Sequence, residues 1–158
     1  MDVNAFYGVL AGLSFTLLGL WWVACQARMS WMIDRVGRGM AYVVSLHFAL
    51  PGAMSLLSLV APDVPILWRV TFATAGGVGL IGTLLMIRTM GRRSADTGLV
   101  FGLQWIAVPL YALVTIVAIS PELVGGIGLT PLQVEGITLV ILIMLGTQSA
   151  WLVTFARD

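Results

Sequence analysis

Five apolar stretches, separated by short connections rich in charge, glycine or proline, take up most of the chain. The first runs from about Ala5 to Gln26, with no charge between Val3 and Ala27, and the second from about Gly39 to Val60. The third runs from about Pro65 to Arg88, the fourth from about Gly98 to Ser120 and the fifth from about Thr130 to Phe155. At ~1.5 Å rise per residue, roughly 20 residues cross the hydrocarbon of a bilayer. Lipid tails hydrogen-bond no peptide group, so such segments must be helices. The pattern predicts an all-α, polytopic transmembrane bundle of five spans forming a single domain over residues 1–158.

Boundary signals agree with this division. Thr130, Pro131 and Gln133 place a capping residue, a first-turn proline and a capping-box glutamine at the start of the fifth span. Asp63 and Pro65 can start the third in the same way. Pro121 closes the fourth, and Gly125, Gly126 and Gly128 loosen the loop that follows. The segment from Met29 to Val36 reads either as a short interfacial helix or as an ordinary loop anchored by Trp31. Trp21, Trp22, Trp31, Trp105 and Trp151 gather towards one surface and Trp68 towards the other, as an aromatic belt does.

Composition sharpens the class. The chain is 59% hydrophobic and 9% charged, against about 25% charged in a soluble domain. A net charge of +1 offers no field for nucleic acid. The single cysteine, Cys25, excludes an internal disulfide and a cysteine metal cage. No cleavable signal is expected, because the first run lacks a basic flank and is too long. A separate soluble domain is not expected either.

The arginines orient the bundle. Arg28, Arg35, Arg38, Arg88, Arg92, Arg93 and Arg157 fall on one side and only Arg69 on the other. The positive-inside rule makes the arginine-rich side cytoplasmic, with the N-terminus outside and the C-terminus inside, in the cell (inner) membrane.

Burial gives helices in lipid little reason to associate, so small residues must let them pack closely. Gly8, Gly12 and Gly19 form one stripe on the first span; Gly76, Gly79 and Gly82 form another on the third. Contact through these two helices, within a subunit or between subunits of a homo-oligomer, is expected.

Polar residues inside the spans carry the functional candidates. His47 lies about nine residues from the cytoplasmic end of the second span, about 13 Å deep. Pro51 follows at i+4, cannot donate to the carbonyl of residue 47, and is expected to kink the helix there. Ser45, Gln104 and Gln148 share the same half of the membrane, so these side chains are expected to form one polar cluster lining a pore or its gate. The alternative is ordinary hydrogen bonding between helices. Near the outer surface, Arg69 and Glu135 match in depth and are expected to form a structural ion pair; the alternative is an outer gate or a binding site for an ion.

Catalysis is not expected: there is no HExxH, GxSxG or Walker sequence, and one histidine with one cysteine builds no zinc site. No metal or cofactor is expected, although haem ligation by His47 and a methionine is a third reading. The favoured expectation is a homo-oligomeric ion channel or small-solute permeation protein with a pH-sensitive histidine. The alternative is a non-conducting accessory or sensory module that binds a partner protein or lipid.

Overall fold

The computed structural model describes residues 2–27, 33, 35–60, 64–90, 98–126 and 128–155. Among them are five long helices: α1 (Val3–Ala27), α2 (Arg35–Val60), α3 (Pro65–Met90), α4 (Gly98–Ile119) and α5 (Pro131–Phe155). Each contains a stretch long and apolar enough to cross a bilayer. A short 3-10 turn, Pro121–Val124, lies between α4 and α5, where the sequence predicts only a loose loop. The Asp63 start signal and most of the segment from Met29 to Val36 lie outside the described residues; Arg35 and Val36 open α2.

The helix starts follow capping chemistry. The Asp2 carboxylate accepts from the backbone N–H of Asn4 (2.9 Å) and of Ala5 (3.3 Å), satisfying donors the first turn leaves free. At α5 the Thr130 N–H donates to Gln133 Oε1 (2.9 Å) and the Gln133 N–H donates to Thr130 Oγ1 (3.3 Å), a reciprocal capping box. α2 runs unbroken in helical backbone through Pro51, which is buried.

Cross-helix contacts fix the weave. Gly8 of α1 lies beside Leu59 of α2, and the Trp21 indole N–H donates to the Ala41 carbonyl (3.1 Å), so α1 and α2 are antiparallel. Gly39 and Gly82 meet Met86 and Leu46 between α2 and α3; Gly76 and Gly79 meet Thr115 and Tyr111 between α3 and α4. Tyr7 Oη donates to the Leu132 carbonyl (2.7 Å), which sets the starts of α1 and α5 side by side. The chain therefore runs up and down, with the beginning of α1 and the end of α5 at opposite ends. We call the end where α1 begins the upper end.

α2 packs on α1, α3 and α5, and α4 packs on α3 and α5. Helices α2 to α5 thus close a four-sided bundle in which α2 faces α4 across a diagonal, and α1 leans on the α2–α5 edge. Phe72, Met54, Leu139, Leu142, Val114 and Ala107 are fully buried in the middle. The outward faces are as apolar as the core: Val9, Leu20, Ile81, Leu99 and Met144 are all exposed, which suits lipid and not water. Trp22, Trp105 and Trp151 are exposed as belt residues should be, but Trp21 and Trp68 are buried against neighbouring helices.

Candidate functional site

In lipid, a helix can satisfy a hydroxyl without outside help by donating to the carbonyl one turn back. Ser45 does this to Ala41 (2.8 Å), Thr115 to Tyr111 (2.9 Å) and Thr138 to Val134 (2.8 Å). Against that background, polar atoms that are buried and still unpartnered stand out. They are Thr83 Oγ1, Gln104 Oε1, Tyr111 Oη, Ser149 Oγ and His47 Nε2, together with the hydroxyls of Ser14 and Ser55 and both carboxylate oxygens of Glu135.

By helix phase, the first five face one interior. His47 is fully buried on α2, and its Cβ faces Gly146 of α5, where an added Cβ would come within 2.7 Å. Its ring meets the Tyr111 ring of α4 across the diagonal, with centroids 5.7 Å apart at 65°. Tyr111 in turn lies on Gly79 of α3. Residues three, four or seven apart share a helix face. Thr83 therefore joins Gly79, Gln104 joins Tyr111 and Ser149 joins Gly146, all facing the same interior. Thr83, Gln104 and Ser149 lie about 9–10 Å from the lower ends of their helices at ~1.5 Å per residue, and His47 about 18 Å. The result is a polar column in the lower half of the bundle, drawn from four helices.

His47 is oriented by its Nδ1, 2.8 Å from the Val43 carbonyl. A carbonyl only accepts, so Nδ1 carries the hydrogen that it donates and Nε2 is the free nitrogen. Small residues make this geometry possible: glycine at 79 and 146 lets an aromatic ring and an imidazole occupy the space that side chains would fill.

Three expected arrangements are corrected. Gln148 is exposed on the lipid-facing side of α4 and α5, beside Gly102 and Trp151, and takes no part in the cluster; its neighbour Ser149 faces inward instead. One residue along a helix turns the side chain by about 100°, and depth alone does not reveal that turn. Ser45 is buried but satisfied within its own helix. Arg69 does not pair with Glu135. Its Nε donates to the Ala118 carbonyl (3.0 Å) and its Nη2 to the Ile119 carbonyl (2.6 Å), so a cation caps the end of α4. α3 and α5 are not neighbours, and the adjacent carbonyl end wins the guanidinium.

The glycine stripes also divide. Gly76 and Gly79 pack tightly on α4, whereas nothing lies within 4 Å of a Cβ built on Gly12 or Gly19, and Gly8 meets only Leu59 at 3.9 Å. Within the chain the two stripes do not meet each other. Pro51 is buried on the face of α2 that carries His47. Among the described residues no three His, Cys, Asp or Glu side chains gather as metal ligands would.

The fold defines a multi-pass helical membrane protein whose apolar core holds several buried polar side chains. The chain matches no protein-family model, and no curated protein or solved structure matches it either.

Proposed function

We propose that this protein lets an ion or small polar solute cross the cell (inner) membrane along the interior of the α2–α5 bundle. One observation supports this above all: among the described residues, five buried polar atoms without partners, His47 Nε2 and Tyr111 Oη with those of Thr83, Gln104 and Ser149, come from four different helices and face one interior. A membrane protein has no reason to leave such groups unsatisfied for packing alone, since each costs free energy. Groups that must exchange partners with a passing species are left open by necessity.

This reading moves the path. His47 and Gln104 face the inside of one chain, so they do not line an axis between subunits. Self-association remains part of the proposal through the open face of α1, where Gly8, Gly12 and Gly19 present a smooth surface to lipid or to a second copy. In this proposal the lower end, with the His47–Gln104–Ser149 column, is the cytoplasmic side, a reading supported by the positive-inside rule. His47 in the path makes permeation depend on pH.

The test is flux into liposomes carrying the purified protein, with protons, sodium, potassium and chloride compared in turn. Wild type should conduct one of them, and His47→Ala and Gln104→Leu should each lower the rate at least about tenfold. Wild type that conducts none in assays run from about pH 5 to 8 refutes the proposal.

A second reading is favoured by Gln148. Its amide lies in a groove of about 390 Å³ between α4 and α5, exposed where lipid would otherwise sit. A polar side chain there suits a hydrogen bond to a partner's transmembrane helix. Loss of a co-purifying polypeptide in Gln148→Leu, with no flux in wild type, would favour this reading.

A further inference from the structure

The upper half of the bundle holds a second group of unpartnered polar atoms. Glu135 begins a buried stripe on α5 that continues through Leu139, Leu142, Gly146, Ser149 and Val153, so it lies on the face that meets His47 lower down. It is 1% exposed, and neither carboxylate oxygen has a hydrogen-bond partner. The cation best placed by depth, Arg69, is engaged with the carbonyls of α4.

Tyr7 of α1 lies within electrostatic range of the Glu135 carboxylate, and its hydroxyl is committed to the Leu132 carbonyl one turn earlier on α5. On α2, Ser55 lies two turns from Phe48, the residue packed on Gly146, and so faces α5; its hydroxyl is fully buried and unpartnered. Ser55 and Glu135 stand four to five residues from the upper ends of their helices, which is ~6–8 Å for both. A groove of about 200 Å³ opens at the starts of α1 and α5; Phe6, Tyr7 and Gln133 wall it, and of Glu135, Ser55 and Tyr7 only Tyr7 reaches it.

An isolated carboxylate is steeply penalised in an apolar interior unless a cation accompanies it. Carboxylate and hydroxyl oxygens are hard donors, suited to a proton or a small hard cation. We infer that Glu135, with Tyr7 of α1 near it and Ser55 at the same depth on α2, is a monovalent-cation site, for H⁺ or Na⁺, at the upper entrance to the bundle. This rests on the permeation reading for its place in a path, but the site itself does not need one.

Among the described residues, other ionisable groups are few here. α1 contributes Tyr7, and the exposed Asp2 at its start. The upper half of α2 contributes none. α4 contributes Tyr111, which is deeper and packed on His47, and the turn before α5 contributes the exposed Glu122. A pH or sodium response in this region therefore reports mainly on Glu135.

The test is labelling of the full-length protein in liposomes with a hydrophobic carbodiimide, which condenses with a protonated carboxyl and leaves an adduct seen by mass spectrometry. For a proton site, the Glu135 peptide of wild type should be modified, with a rate falling towards about tenfold per unit on the alkaline limb. For a sodium site, added sodium chloride should slow labelling while potassium chloride does not. Glu135→Gln should lose the adduct in either case. As a second measurement, acid or sodium should raise the melting temperature of wild type but not of Glu135→Gln, because a cation that binds the folded state stabilises it. No adduct, or labelling and melting that neither pH nor sodium changes, overturns the inference. Flux without labelling removes the site and leaves the path; labelling without flux removes the path and leaves the site.

Discussion

Replacing Gly79 by alanine puts one methyl group against the face of Tyr111, the residue that closes the diagonal with His47. A Cβ there would penetrate the ring at Cε1, Cδ1 and Cζ. The ring cannot swing aside easily, because Tyr111 is fully buried and already packed on the imidazole. α3 and α4 must therefore part, and overpacking of this kind costs about 1–3 kcal/mol. Gly77 is the control, since a Cβ at that position meets nothing within 4 Å. Both alanines gain the same ~1 kcal/mol of helix preference over glycine, so the difference between them isolates the collision. Gly82→Ala should fall between them: its Cβ would lie 2.8 Å from Leu46 Cδ1, the flexible end of a side chain. Reversible unfolding in mixed micelles, followed by tryptophan fluorescence, ranks the three. The expected order of stability is Gly77→Ala, then Gly82→Ala, then Gly79→Ala, with about 1–3 kcal/mol between the extremes. Equal stability of Gly77→Ala and Gly79→Ala would refute the α3–α4 contact and the placement of Tyr111 that depends on it.

Other consequences are equally concrete. Arg69→Met removes a charged donor from two terminal carbonyls of α4 and should destabilise by about 1.5–3 kcal/mol in the same unfolding assay. A double-mutant cycle with Glu135→Gln should give a coupling near zero; a coupling above ~1 kcal/mol would restore the ion pair. In liposome flux, Gln104→Leu should impair permeation at least about tenfold while Gln148→Leu leaves it within about twofold, and the reverse pattern would return Gln148 to the path.

What could be read from the chain and what could not divide along one physical line. Depth and length were legible, because a bilayer of fixed thickness demands long unbroken helices and punishes misplaced caps. The pairing of Thr130 with Gln133 and the start of α3 at Pro65 are of this kind. Azimuth was not legible. In water a helix advertises its buried face by contrast with a polar one, but lipid is as apolar as the core, so the contrast is missing. Hence depth alone does not separate Gln148 from Ser149, nor Gly12 and Gly19 from Gly76 and Gly79. Arg69 and Glu135 shared a depth but belonged to helices on opposite corners. A signal did exist for α5: Glu135, Gly146 and Ser149 repeat at helical spacing and mark one face with polar and small residues. His47 was found because an imidazole within a span is conspicuous anywhere. Its partner Tyr111 passed unnoticed, since a tyrosine in a span reads as ordinary membrane composition.

The central claim, a path through the interior of the chain, turns on the orientation of two adjacent residues. Ser149→Cys and Gln148→Cys, each in a Cys25→Ser background, would be exposed in liposomes to a small water-soluble thiol reagent. The account predicts that the cysteine at 149, facing the column beside His47, reacts, and that the one at 148, facing lipid, stays inert. Reaction at 148 with none at 149 would contradict it.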